Sequence, residues 1–253
     1  MSARFQTAGL AVAVLAVGLM LPPKTAVAQS GSGDGFLFHQ PKASLTLRIG
    51  VARPDAQDGV FAFTSDLLTV NRNDFTGFSA AANLDFMVTS RLAIEMGTGV
   101  SARQVSSEYR DWVDLDDLPI EQTTNFRRTP VTAGFKLFLL PTGRSLGRYA
   151  WVPNTFAPYI SAGGGFMYYK FSQSGDFVDF QDNDVFRASL ESSDWTSSAY
   201  GAVGFNYNLT AHAGIVTEAR YEHANANMGR DFVGFPRINL SGWGVTTGLS
   251  LRF

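Results

Sequence analysis

The last stretch of the chain alternates without a break. From Trp243 to Phe253, one parity holds Trp243, Val245, Thr247, Leu249, Leu251 and Phe253. The other parity holds Gly244, Thr246, Gly248, Ser250 and Arg252. Successive side chains of an extended backbone point to opposite faces. The segment therefore reads as a strand with one largely apolar face and one face of small or polar residues.

Earlier segments repeat the pattern. Candidate strands lie near 43–53, 76–88, 91–104, 125–140, 155–171, 194–209, 211–224 and 238–253. Most match or exceed the ~9–11 residues of a tilted membrane strand. The connections alternate in length. Thr89–Ser90–Arg91 and Leu209–Thr210 are short turns, and the stretch from Pro141 to Asn154 is of middle length. The connections after the first, third, fifth and seventh candidates are long and polar. An even strand count with short turns on one rim and long loops on the other is the layout of a closed antiparallel barrel in a membrane.

The two parities decide which face is which. The second candidate sets Phe78, Ala80, Ala82, Leu84, Phe86 and Val88 against Gly77, Ser79, Ala81, Asn83, Asp85 and Met87. The fourth sets Val131, Ala133, Phe135, Leu137 and Leu139 against Arg128, Thr132, Gly134 and Lys136. A soluble barrel alternates as well, but there the bulky set fills the interior. Small residues mixed with isolated charges of both signs fit a narrow eight-strand lumen, and a bulky, aromatic opposite set fits lipid. On this reading Phe86, Tyr207 and Phe253 mark one interface, and Trp195 and Tyr221 the other. The expected fold class is all-β, an eight-stranded antiparallel transmembrane β-barrel over residues 43–253, with both termini on the short-turn side.

The N-terminus has the layout of a secretory signal over residues 1–28. Arg4 gives the positive start, 8–21 is apolar, and Ala26–Val27–Ala28 is a cleavage site. The apolar stretch is shorter than the ~20 residues of a spanning helix. Removing the segment also removes Arg4 and Lys24, so the net charge of −2 becomes −4. A mildly acidic chain argues against a nucleic-acid partner. Residues 29–42, Gly/Ser-rich at first, read as a flexible lead. There is no cysteine, so disulfides, thiolate metal sites and thiol nucleophiles are excluded.

The chain resembles the small outer-membrane barrels of the OmpA/OmpX/OmpW type. The resemblance rests on the Ala26–Val27–Ala28 signal end, the stretch from Ala157 to Phe166, Glu218–Ala219–Arg220–Tyr221 and the terminal Leu249–Ser250–Leu251–Arg252–Phe253. It covers the expected mature chain and implies residence in the outer membrane of a Gram-negative bacterium. It also implies contact with outer-membrane lipid and lipopolysaccharide, and recognition of Phe253 by the barrel-assembly machinery. No peptidoglycan-binding domain is expected after the last strand.

Three constellations carry candidate chemistry. The first is a lumen charge cluster of Arg48, Asp85, Glu95, Lys136, Glu218, Arg220 and Arg252, joined on parity by Arg103, Arg128 and Glu222. Buried charges need partners or water, so this reads as a salt-bridged filling or a gate for ions. Glu95 and Lys136 lie on neighbouring strands and are expected to meet, with Asp85 and Arg252 at similar depth. The second comprises two acidic loops, one with Glu108, Asp111, Asp114, Asp116, Asp117 and Glu121, the other with Asp176, Asp179, Asp182, Asp184 and Glu191. They are candidates for an extracellular partner or divalent cations, although the calcium-loop spacing is missing. The third is His223 in Tyr221–Glu222–His223–Ala224–Asn225, faintly similar to the His-x-Ser-Asn segment of lipid A deacylases. Asn225 stands where the nucleophilic serine belongs, and Ser241 is the nearest substitute by topology. Gly163–Gly164–Gly165 lies within a strand pattern and makes room in a narrow barrel. The expectation is a non-enzymatic barrel with a structural or surface-interaction role and no cofactor. A narrow gated channel is the alternative, and a lipid A hydrolase comes third.

Overall fold

A computed structural model describes residues 35–57, 59–113, 117–146, 150–179 and 185–253, all within one compact unit. The expected signal segment and the start of the lead lie outside the described residues, as do Asp114, Asp116, Asp182 and Asp184. The strands in chain order are β1 (Ala43–Pro54), β2 (Gly77–Met87), β3 (Leu92–Val113), β4 (Pro119–Phe138), β5 (Gly143–Ser145), β6 (Trp151–Pro153), β7 (Phe156–Val178), β8 (Val185–Asn208), β9 (Ala213–Asn227), β10 (Arg237–Asn239) and β11 (Gly242–Arg252). Between β1 and β2 stand a helix, α1 (Val60–Leu67), and a 3-10 turn (Arg72–Phe75).

The main sheet runs β9-β11-β1-β2-β3-β4-β7-β8, and a further β9–β8 pairing closes it into a ring. All its neighbours are antiparallel. β10 only extends the β9 side of the seam, so the protein is an eight-stranded antiparallel β-barrel. The parity read from sequence holds along the closed part of the barrel. Phe78, Val131, Phe135, Val203, Val245 and Leu249 face outward and are exposed, while Asn83, Asp85, Lys136 and Ser250 are buried inside. From Trp243 to Phe253 the wall rises ten residues. At ~3.3 Å per residue and ~40° tilt this spans about 25 Å, the height of the apolar band on a membrane barrel.

The short turns follow from local chemistry. Thr89 Oγ1 accepts from the amide of Leu92 at 2.9 Å, and Thr210 Oγ1 accepts from Ala213 at 3.0 Å. At the same rim β5 and β6 form a small hairpin. Leu37 exchanges two backbone hydrogen bonds with Trp151 of that hairpin, at 2.8 and 2.7 Å, so the end of the lead is tied to it.

At the opposite rim the strands run further than their sequence pattern suggests. The third candidate, expected to end at 104, continues to Val113, and β4 begins at Pro119 rather than 125. β7 and β8 extend likewise to Val178 and from Val185. Glu108, Asp111, Glu121, Asp176 and Glu191 therefore sit on strands and not in the acidic loops expected for them. Their exposed faces are polar and read as loop, while the inward parity mixes apolar Tyr109, Ile120, Phe126, Phe171 and Val178 with buried Ser107, Gln122, Thr124 and Gln173. β2 pairs with β3 only as far as Ala102, and β9 pairs with β8 only from Ser198. Above these points β3-β4-β7-β8 is an open four-stranded tower. Gly175 lies in it at φ +138, where a Cβ would collide with the Glu121 carbonyl oxygen.

The expected long first loop folds into the barrel mouth. Gly59 turns the chain at φ +59, and α1 then lays Val60, Phe61 and Thr64 inward. Phe61 is fully buried, with its ring 5.2 Å from Phe75, 5.2 Å from Phe126 and 5.6 Å from Phe171. Phe232, Ile238 and Leu240 complete this apolar core from the last connection.

Candidate functional site

The lower lumen holds a buried polar cluster. β4 points Lys136 inward, and β2 and β3 present Asp85 and Glu95 as directly opposed residues. Lys136 Nζ lies 2.9 Å from Asp85 and 2.5 Å from Glu95. Two carboxylates facing each other across a ladder repel, and the ammonium between them removes that cost. Tyr200 donates to Glu95 at 3.0 Å, and Ser44 donates to Asp85 at 3.1 Å. Beside this cluster Arg48 pairs with Glu218 at 2.5 Å and donates to Asn83 at 2.8 Å. Tyr159 donates to Glu218 at 2.8 Å and also carries Lys136 4.8 Å from its ring centre.

Higher up, Arg220 pairs with Glu222 at 2.9 Å, reaches toward Glu95 at 3.8 Å and stacks 3.5 Å over Tyr200. Arg128 donates to the Leu240 carbonyl at 2.7 Å and to Ser101 at 3.2 Å. Four cations (Arg48, Arg128, Lys136 and Arg220) thus face four carboxylates (Asp85, Glu95, Glu218 and Glu222), so these groups sum to zero charge.

Not every expected member joins. Arg252 is inward but hydrogen-bonds to Asn208, away from the carboxylates. It and Asp85 flank Ser44 on β1, and two strand spacings of ~4.8 Å keep them apart. Arg103, placed inside on parity, stands above the end of β2, where the wall is open. It is exposed and donates to the Asp74 carbonyl at 2.8 Å. Sequence reasoning misses Tyr200 as a partner of Glu95, although its parity with Ala202 and Gly204 places it inside.

Between this cluster and the mouth lies a cavity of about 60 Å³. Arg48, Asn83, Arg128, Thr132, Glu218 and Arg220 line it. Among the described residues, Arg48 Nε and Asn83 Nδ2 find no hydrogen-bond partner there. A space of this size is roomy enough for water, which needs about 10–15 Å³. Its wall includes Gly99 and Pro130. There the β3–β4 ladder skips the rows between Thr98↔Val131 and Ser101↔Arg128 without changing register, and Pro130 has no amide hydrogen to offer.

The mouth above is apolar with few polar ties. Gln173 donates to Thr64 at 3.1 Å, and Gln122 donates to Tyr109 at 3.3 Å. Met167, Tyr169 and Phe171 of β7 are fully buried beneath α1.

On the outer wall, Ser241 Oγ lies 3.2 Å from His223 Nδ1. β10 and β11 are separated at Leu240–Ser241, and the serine fills that break. It is 1% exposed and exchanges hydrogen bonds of 3.3 Å with the Ala224 amide and carbonyl. The nearby carboxylate, Asp55, takes its hydrogen bond from Tyr221 at 2.9 Å. A nucleophile needs both a base and access to substrate, and the Ser241 hydroxyl is enclosed. Among the described residues no group of three or more His, Asp or Glu side chains could hold a metal ion.

Phe253 is exposed at the short-turn rim, and its carbonyl accepts from Lys42 and Ala43. The closed ring, charged lumen and apolar exterior define an eight-stranded antiparallel barrel with an inverted, lipid-compatible surface. No protein-family model matches the chain, and no curated protein matches it. Among solved structures it is similar to the outer membrane protein OprG from Pseudomonas aeruginosa, with 16% identity and a TM-score of 0.46 over 86% of this chain and 99% of that one. A major outer membrane protein from Thermus thermophilus is similar at 11% identity and TM-score 0.43, over 85% and 100%. Neisserial surface protein A is similar at 11% and 0.41, over 88% and 100%.

Proposed function

We propose that this is a non-enzymatic outer-membrane barrel of a Gram-negative bacterium, closed to solutes at rest, whose role is structural or directed at the cell surface. The observation that carries this is the doubly stopped lumen. Lys136 is clamped between Asp85 and Glu95 below, and Phe61 is fully buried in the mouth above. The apolar band of about 25 Å supports the membrane setting. On this reading the short turns and Phe253 lie on the periplasmic side, within reach of the barrel-assembly machinery, and the tower lies outside the cell. The carboxylates of the tower are then available to an extracellular partner. Purified protein in a planar bilayer is expected to show no steady conductance, and a steady large current overturns the reading.

A second reading is a narrow gated channel. The cavity beside Arg48 and Glu218 favours it, as do Arg48 Nε and Asn83 Nδ2, which have no hydrogen-bond partner among the described residues. Small intermittent currents that change in Lys136→Met would support this reading over the first.

A further inference from the structure

We propose that Arg127 and Lys170 form a binding site for the phosphate of a phosphorylated glycolipid in the outer leaflet, a proposal that rests on the outer-membrane reading above. The two residues are directly opposed on β4 and β7, on the outward face. Like charges placed so are destabilising without a counter-ion. Glu191 supplies one carboxylate to Lys170 at 2.8 Å. Among the described residues no carboxylate pairs with Arg127, which is exposed, so the trio keeps one positive charge outward.

The level of this pair on the wall identifies its ligand. One row lower come Thr129, Tyr168 and Trp195, with the two rings 5.4 Å apart. One row lower again come Val131 and Phe166, both exposed and apolar. Aromatic rings of this kind favour the membrane interface. Each row is two residues, about 5 Å of height at ~3.3 Å per residue and ~40° tilt. The cations therefore stand about 5 Å above the aromatic pair, where lipid phosphates lie and acyl chains do not. An arginine fork binds phosphate with two parallel hydrogen bonds, and lysine adds a point charge. The rings and the apolar row beneath hold the glycolipid's body and chains, so recognition takes a lipid-borne phosphate and not the free anion.

The test uses the full folded barrel in detergent, and native mass spectrometry counts the lipid that stays bound. The probes are bisphosphorylated lipid A, the same lipid A after removal of its phosphates, and inorganic phosphate as competitor. The wild type is expected to retain the phosphorylated form about tenfold more strongly, as charge-assisted hydrogen bonds imply. Arg127→Gln with Lys170→Gln should erase that preference while retention of the dephosphorylated lipid stays unchanged. Arg187→Gln, on the same sheet further from the band, should leave the preference intact. Equal retention of the two lipids, or a preference that survives the double variant, overturns the site. Full displacement by equimolar inorganic phosphate overturns the lipid as its source. A barrel that binds neither lipid and does not insert into bilayers overturns the outer-membrane reading itself.

Discussion

Below the cavity Lys136 is held by Asp85 and Glu95, and above it Phe61 is held by Phe75, Phe126 and Phe171. Both arrangements stop the same tube, and they respond differently to damage. The ionic stop depends on every partner, because a charge left alone in a buried place keeps its whole desolvation cost. The aromatic stop depends on volume, and its neighbours can settle part of the way into any space that opens. The lower stop also consists of rigid barrel strands, whereas the upper one is carried by a short helix between β1 and β2.

Lys136→Met tests the difference most severely. It leaves Asp85 without its cation and Glu95 with only Arg220 at 3.8 Å, and we expect a loss of about 3–5 kcal/mol in urea unfolding from lipid or detergent. Adding Asp85→Asn and Glu95→Gln should restore most of it. An unchanged midpoint in the single variant would break the comparison. Phe61→Ala should cost about 3 kcal/mol, at the low end for a buried ring, because α1 can move inward. Its sharper readout is protease cleavage within residues 54–77, which should rise while the barrel stays folded. Gly134→Ala probes how tightly the lower stop is packed. A Cβ there would collide with the Ala162 backbone carbonyl oxygen of β7, and would also meet the Tyr200 hydroxyl at 2.6 Å and push it away from Glu95. We expect a loss of about 1–3 kcal/mol, as for other overpacked interiors. A neutral effect would mean that both Tyr200 and the β7 backbone at Ala162–Gly163 can give way.

The lower stop is largely legible in the amino-acid sequence. Period two assigns Asp85, Glu95, Lys136 and Glu218 to the inside, and strand adjacency brings Lys136 to Glu95. The choice of Asp85 as the second partner is not legible. It depends on a long side chain reaching past one strand, and parity says nothing about reach. The upper stop is hidden almost entirely. Residues 60–67 are too few to show a helical period, and Phe61 looks like any loop aromatic until the strands around it are known to extend. The tower is hidden because its outward residues are polar, so its alternation looks like a break in pattern. Strand adjacency anticipates the Ser241–His223 contact, but the enclosure of the hydroxyl arises from the break between β10 and β11, which no periodicity marks.

The seam between β1 and β11 sets the order of events in making this molecule. Thr46 and Ser250 hydrogen-bond across it at 3.1 Å, with a sequence separation of 204. Pairings this distant in sequence form slowly, because the chain must give up its freedom before the contact rewards it. Until β11 arrives, β1 and β9 each present an open edge, and open edges recruit other chains. The nascent protein is therefore an aggregation hazard until its last strand is laid down. A catalyst that holds the first edge while it receives the final one would act at the step where unaided folding is slowest.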